Sequence, residues 1–322
     1  MKETVIQVKN LRKAYLTQQF EENVFKREKK KIEAVKDISF DIFREELVAF
    51  IGPNGAGKTT TLKCLSGLLT PDGGSIDVLG FNPAKRKRDF LTKIALVMGQ
   101  KSQLWWELPP VETFRLNKEI YRIGDREYEE VVNEMVKILD IGEVVKKPTR
   151  NLSLGERMRC EIVAALLHTP ELIFLDEPTI GLDVVSQHNL REFIKEYNHR
   201  YKASVLLTSH DMGDISDLCN RVIVIDHGLV IYDGKISELI RGYAKEKYIH
   251  FVLGGSIESK ELIGLGKLRE CSGNEGVLEV SRERVSDVAK ELLNRFNVID
   301  LDISEPDLEE VIKAIFEGGY KI

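Results

Sequence analysis

The residues whose types and spacing point most directly to a reaction are Gly52-Pro53-Asn54-Gly55-Ala56-Gly57-Lys58-Thr59, set between the apolar run Leu47 to Ile51 and a helical pattern from Thr60 to Leu69. A glycine-rich turn between strand and helix lets backbone N–H groups close around phosphate oxygens, and a side chain at Gly55 or Gly57 is expected to obstruct them. Lys58 supplies a point charge able to bridge two phosphates, and Thr59 a hydroxyl able to ligate Mg²⁺. Further on, the unbroken apolar run Leu172 to Leu175 ends in Asp176-Glu177-Pro178. This reads as a buried parallel strand with two carboxylates at its carboxyl end, where open α/β sheets gather their ligands. Asp176 can hold the metal ion, and Glu177 can polarise a water for in-line attack on the terminal phosphate.

Other elements must bring partners to these groups. In Leu152-Ser153-Leu154-Gly155-Glu156, the apolar positions Met158, Ile162, Ala165 and Leu166 follow at three- and four-residue spacing, so a helix starts at or just after Ser153. Its unpaired N–H groups make either an ordinary serine cap or a docking point for phosphate. The strand Val205-Leu206-Leu207 leads into Thr208-Ser209-His210-Asp211, which puts His210 at another strand end, able to hydrogen-bond a terminal phosphate.

Taken together and in this order, the motifs of residues 1–240 resemble the nucleotide-binding subunit of an ABC transporter. The resemblance implies an α/β fold: a P-loop ABC ATPase domain with a RecA-like core and a helical subdomain at about residues 101–168, followed by a small α+β C-terminal domain over 241–322. It implies that Gln100, in Val97-Met98-Gly99-Gln100, is the Q-loop glutamine, bonding Mg²⁺ and the attacking water. By the same resemblance His210 is the switch histidine, Gly181-Leu182-Asp183 the D-loop, and Tyr15 the aromatic that stacks on adenine. The implied catalytic set is Glu177, His210 and Gln100, and the implied metal set is Thr59, Gln100 and Asp176. The resemblance also implies that ATP is held by Tyr15, Gly52, Asn54, Gly55, Ala56, Gly57, Lys58, Thr59 and Thr60, with Ser153, Gly155 and Asp183 meeting nucleotide across a dimer seam.

In this family ATP lies between two such domains, so one phosphate loop and one signature imply a second nucleotide-binding subunit, most simply a second copy. The other implied partner is an integral membrane permease, which places the chain in the cytoplasm, peripheral on the inner face of the membrane. Against the usual signature, Leu154 replaces a glycine and Glu156 a glutamine; Glu156 is expected to point away from the terminal phosphate. Between Tyr15 and Ala34 an insert carries Lys26, Arg27, Lys29, Lys30 and Lys31. It reads as a solvated hairpin tip or as a contact with an anionic membrane surface, and its Phe20 or Phe25 is an alternative to Tyr15 at the base.

Composition excludes some classes. A net charge of −5 over 322 residues gives no support to bulk nucleic-acid binding. No apolar run approaches the roughly twenty residues of a membrane span, and MKETVIQVKN lacks the apolar core of a signal peptide. Cys64, Cys160, Cys219 and Cys271 are far apart and read as buried thiols. Trp105 and Trp106 lie before Pro109-Pro110, as core packing or as a groove wall for a permease helix. Tyr128, Val131, Val132, Met135, Ile138 and Leu139 mark an amphipathic helix.

Glu238 to Lys247 reads as a charged bridge to the tail. There, strands are expected over Tyr248 to Leu253, Val277 to Val280 and Val298 to Ile303, with a helix striped by Val285, Val288, Leu292, Leu293 and Phe296. Ser304-Glu305-Pro306-Asp307 caps a last helix. The tail resembles the extension of ABC-2 type export ATPases, which implies export; its role is a dimer brace, a regulatory lid or a stabilising cap. The rival function, a soluble ABC-type ATPase acting on ribosomes or DNA, calls for tandem motif sets or long coiled coils, which the sequence lacks.

Overall fold

The computed structural model describes residues 3–20, 27–99, 101–243, 246–257 and 259–318. The chain divides into two compact units, with the division between Gly234 and Lys235.

The first unit is built on a nine-stranded sheet in the order β4-β1-β2-β9-β8-β3-β7-β6-β5. The strands are β1 (Thr4–Phe20), β2 (Arg27–Phe43), β3 (Leu47–Ile51), β4 (Gly73–Val78), β5 (Ile94–Met98), β6 (Leu172–Asp176), β7 (Ser204–Thr208), β8 (Arg221–Asp226) and β9 (Leu229–Lys235). Strands β5, β6, β7, β3 and β8 run parallel to one another, and β6 pairs with β7 so that Asp176 faces Thr208. Every residue of β6 and β7 is buried, as continuous apolar runs in a parallel sheet require. The antiparallel pair β1 and β2 forms a long ribbon that continues past Tyr15 to the match of Phe20 with Arg27. The arms of the basic insert are thus strand, while Phe25, Lys26 and the rest of 21–26 lie outside the described residues.

The helices of this unit are α1 (Lys58–Leu65), α2 (Arg88–Leu91), α3 (Pro110–Tyr121), α4 (Asp125–Ile138), α5 (Leu154–Leu166), α6 (Val184–Tyr201) and α7 (Met212–Leu218). α1 starts at Lys58 and stops at Leu65, not at Leu69, because Gly67 takes a left-handed conformation with φ +74°. α4 turns Val131 and Met135 inward, and α3 and α5 pack on one another. No helix among the described residues is long and apolar enough to cross a membrane.

Trp105 and Trp106 are 59% and 54% exposed, so neither is packed in the core. A 450 Å³ groove in the same unit is lined by Leu68, Arg86, Met98, Lys101, Gln103 and Tyr121, among others. Cys64, Cys160 and Cys219 are buried, and burial pushes their thiols up to about 11, 12 and 12; Cys271 is only half-buried.

The second unit starts with α8 (Ile236–Tyr243), so most of the expected charged bridge is an amphipathic helix with Ile236 and Leu239 buried. Its sheet has the order β11-β12-β10-β13, made of β10 (Glu246–Leu253), β11 (Lys267–Ser272), β12 (Glu275–Ser281) and β13 (Val298–Ser304). α9 (Val285–Arg295) packs Val288 and Leu292 against Ile249, Phe251 and Leu278. α10 (Leu308–Phe316) is capped by Asp307, whose carboxylate accepts from Glu310 N at 2.8 Å, and packs on α8.

Candidate active site

The phosphate loop leaves β3 and enters α1 through Gly57, the helix N-cap, at φ 109°. A Cβ on Gly57 would stand 2.5 Å from the Ala34 carbonyl oxygen, and one on Gly52 would stand 2.2 Å from that of Ile225. The neighbouring backbone, then, demands glycine at both positions. At Gly55 no heavy atom lies within 4 Å of a Cβ, and what demands glycine is φ +82°. Crowding by the protein excludes a side chain at Gly52 and Gly57, and the left-handed backbone does so at Gly55 and again at Gly57. Ala56 seals the turn, its N–H donating to Pro53 O at 3.1 Å and its carbonyl accepting from Gly228 N at 3.1 Å.

Lys58 is 6% exposed and its Nζ donates to two carbonyls of its own loop, Gly52 O and, at 3.2 Å, Pro53 O. Burial lowers its pKa, opposed by the nearby charges of Glu177 and Asp176. The ammonium is therefore held under the loop by its own backbone carbonyls. Asn54 and Gly55 are exposed at the loop's tip, while Thr59 and Thr60 are half-buried in the first turn of α1.

The ends of β6 and β7 supply the second half of the site. Asp176, 9% exposed, accepts on Oδ1 from Thr59 Oγ1 at 3.3 Å and from Thr208 Oγ1 at 2.7 Å. Glu177 takes a left-handed backbone with φ 54°, and its N–H donates to Thr208 O at 3.0 Å. A glutamate held at positive φ is strained, and such outliers gather where surrounding structure fixes a functional group. Its Oε1 lies 2.8 Å from His210 Nε2; the histidine side chain is 47% exposed and the glutamate 18%.

Tyr15 is 37% exposed, with its hydroxyl 3.3 Å from Thr60 Oγ1, so the ribbon brings the aromatic to the start of α1. Asp72 anchors that stretch, accepting from Lys13 Nζ and Ala14 N, both at 2.7 Å. The Lys13 ammonium and the Ala14 N–H hold the Asp72 carboxyl below its usual range. Phe20 lies at the far end of the strand, facing Arg27. Gln100 lies outside the described residues; its neighbour Gly99 donates its N–H to Asp176 O at 2.9 Å.

The signature and D-loop residues form a separate cluster. Ser153 caps α5 in a reciprocal box: Glu156 N donates to Ser153 Oγ at 3.2 Å, and Ser153 N donates to Glu156 Oε2 at 2.8 Å. Glu156 is thereby folded back on its own helix, as its charge requires. Asp183 caps α6 through Ser186 N at 3.0 Å and Ser186 Oγ at 2.7 Å, and these bonds lower its pKa. A Cβ on Gly155 would meet Ser186 Oγ at 2.8 Å, and one on Gly181 would meet Leu154 Cδ2 at 2.8 Å. Among the described residues, Ser153, Gly155 and Asp183 share no hydrogen bond with the phosphate loop.

Several residues of the site were not evident in the sequence. Thr208 is one; its pairing with Asp176 follows only from strand register. Glu161, on α5 and 4% exposed, accepts from Ser102 Oγ, from Gln103 N at 2.9 Å and from Leu104 N at 3.3 Å, so it grips the segment that leaves residue 100. A third is the buried Asp214.

A loop that caps a helix with glycine, buries a lysine beside two strand-end acids and follows a central parallel strand defines a P-loop nucleoside triphosphatase. Comparisons with known proteins narrow this class. The family model described as ABC transporter matches residues 35–180, and that of the EvrA-like ABC transporter C-terminal domain matches 245–304. The ABC transporter ATP-binding protein NatA of Bacillus subtilis is 33% identical over 222 residues, covering 69% of this chain and 90% of NatA. The linearmycin resistance ATP-binding protein LnrL of the same organism is 30% identical over 316 residues, covering 95% of this chain and 96% of LnrL. Among solved structures, the dimeric ATP-binding cassette MJ0796 in a post-hydrolysis state with ADP and Pi matches with TM-score 0.61 and 25% identity, over 71% of this chain and 98% of that one. The chain belongs to the ABC transporter ATP-binding proteins, and it is an ATP-binding ATPase of that family.

Proposed function

We propose that this chain binds ATP with Mg²⁺, dimerises on it, and uses hydrolysis to drive a separate integral membrane permease in export. The observation that carries the reading is the convergence at the ends of β3, β6 and β7. The buried ammonium of Lys58, the Thr59, Asp176 and Thr208 cluster, and the Glu177 and His210 pair all lie there. Thr59 and Asp176 offer two hard oxygen donors 3.3 Å apart, which suits Mg²⁺, an ion that takes few protein ligands and completes its shell with phosphate and water. The ion would offset charge on the phosphate oxygens. Lys58 and the loop N–H groups hold the phosphates, Glu177 takes the proton of the attacking water, and His210 orients Glu177 and the terminal phosphate. Tyr15 stacks on the base, and Gln100 serves the metal and the water.

Ser153, Gly155 and Asp183 act on the nucleotide of a second copy, which fits their separation from this chain's own loop. The dimeric state of the matched MJ0796 cassette supports that arrangement. The exposed Trp105 and Trp106 support docking of a permease helix, which puts the chain in the cytoplasm at the membrane's inner face. Export is supported by LnrL, whose name assigns it to resistance and whose match spans both units of this chain. We assign the unit up to Gly234 to the nucleotide-binding domain and the unit from Lys235 to an accessory domain, a boundary a few residues before the expected one because α8 packs with the tail.

The test is a detergent pull-down of the Glu177→Gln chain with ATP and Mg²⁺. A polytopic membrane protein recovered with it supports the reading. Recovery of ribosomes or DNA in its place overturns the permease assignment.

A further inference from the structure

Asp214, near the start of α7, is fully buried at 0% exposure, and its two oxygens serve different segments. Oδ2 accepts from Thr179 Oγ1 and from Ser209 Oγ at 3.0 Å; Oδ1 accepts from Arg191 Nη1 at 2.9 Å. Thr179 stands just beyond Glu177 on the segment leaving β6, and Ser209 directly precedes His210 on the segment leaving β7. Arg191 lies on α6, the helix capped by Asp183. The switch turn closes on the same network, with Asp211 N donating to Ser209 Oγ at 3.0 Å.

We propose that Asp214 is a positioning residue for ATP hydrolysis, holding the two strand-exit segments so that Glu177 and His210 meet. The proposal rests on the assignment of Glu177 and His210 made above. Thr179 and Ser209 are each 3% exposed, so neither hydroxyl has water as a ready substitute. Both donate to one oxygen, so turning the carboxylate releases both segments at once, and a buried network of this kind fails as a unit. The carboxylate is required for its two-sided acceptor character. An asparagine turned to accept from the hydroxyls presents its NH₂ to the Arg191 guanidinium, and turned the other way it leaves the hydroxyls facing donors. Nothing in the network touches the phosphate loop residues Lys58 or Thr59 among the described contacts, so its loss acts on the chemical step more than on nucleotide binding.

The experiment is steady-state hydrolysis of MgATP by the full chain carrying Asp214→Asn, Thr179→Val, Thr179→Ser or Glu177→Gln, with Asp214→Asn also made in a His210→Ala background. Nucleotide titration and thermal melting accompany each variant. Asp214→Asn and Thr179→Val are expected to lower kcat about 10- to 100-fold while KM moves less than about threefold, and Thr179→Ser, which keeps the hydroxyl, recovers most of the rate. In the His210→Ala background Asp214→Asn costs less than about threefold more, because the pair it positions is already broken. Unchanged kcat in both Asp214→Asn and Thr179→Val overturns the proposal. So does an equal fold-loss in both backgrounds, or a loss that tracks melting temperature and nucleotide affinity. Active Glu177→Gln would instead strike the assignment of the base, a result distinct from failure at Asp214.

Discussion

His210 Nε2 and Glu177 Oε1 are 2.8 Å apart across the ends of the neighbouring strands β7 and β6. The contact fixes where the glutamate carboxylate points, and the left-handed backbone at Glu177 fixes where it starts from. An acid with both ends constrained loses little entropy on reaching the geometry that the proposed base role calls for.

Glu177→Gln keeps the size of the side chain and removes the basic oxygen. Turnover is expected to fall by about 10² to 10⁴ while ATP binding persists and an ATP-bound dimer accumulates, read by phosphate release and by size-exclusion chromatography with MgATP. Turnover near that of the parent chain would remove Glu177 as the base.

Lys58→Ala removes the buried ammonium that sits under the loop. Nucleotide affinity is expected to drop at least tenfold, about 1.4 kcal/mol, in a fluorescent-nucleotide titration. An unaltered dissociation constant would contradict the phosphate role given to this lysine.

Two of the loop glycines, Gly55 and Gly57, separate cleanly. Gly55→Ala meets no neighbour and should cost only the left-handed backbone term, about 1 kcal/mol. Gly57→Ala also drives a methyl group to 2.5 Å from Ala34 O, and its loss should reach roughly 3 kcal/mol. Denaturant melts that rank the two variants the other way would contradict this account.

His168 stacks on Tyr121 with ring centroids 3.9 Å apart, and its Nε2–H donates to Ile94 O at 3.0 Å. Burial pushes its pKa down to about 4 from the ordinary 6.5. Between these values the unfolded chain binds the proton and the folded chain does not. The contribution is therefore complete above pH 6.5, falls as pH drops, and is lost by about pH 4, with an upper size of about 3 kcal/mol. Chemical denaturation of the parent and of His168→Phe at pH 7.5 and pH 5 should show the smaller acid loss in the variant. Equal losses would mean that His168 does not titrate on unfolding.

The phosphate loop was legible in the sequence because its residues are contiguous and its strand and helix adjoin it. The same holds for the Ser153 cap and the strand ending at Asp176. Thr208 and Asp214 were not legible, since the first depends on β6 and β7 pairing with Asp176 opposite Thr208, and the second on three segments meeting in space. In the tail, α8 was hidden by its charged residues although Ile236 and Leu239 keep helical spacing. β11 was hidden because Lys267 to Ser272 has no apolar alternation, and its pairing slips between Leu268 and Glu270. The tryptophans show the reverse limit: their apolar type suggested interior packing as readily as surface, and only their exposure separates the two.

The close fit of Gly155 against Ser186, and of Leu154 against Gly181, has a bearing on how this chain could be recombined with its relatives. Two motifs far apart in sequence share one seam, so neither is a portable module. A chimera that imports a foreign segment here would have to bring residues 153–155 together with 180–186, or inherit a mismatched joint between the two motifs.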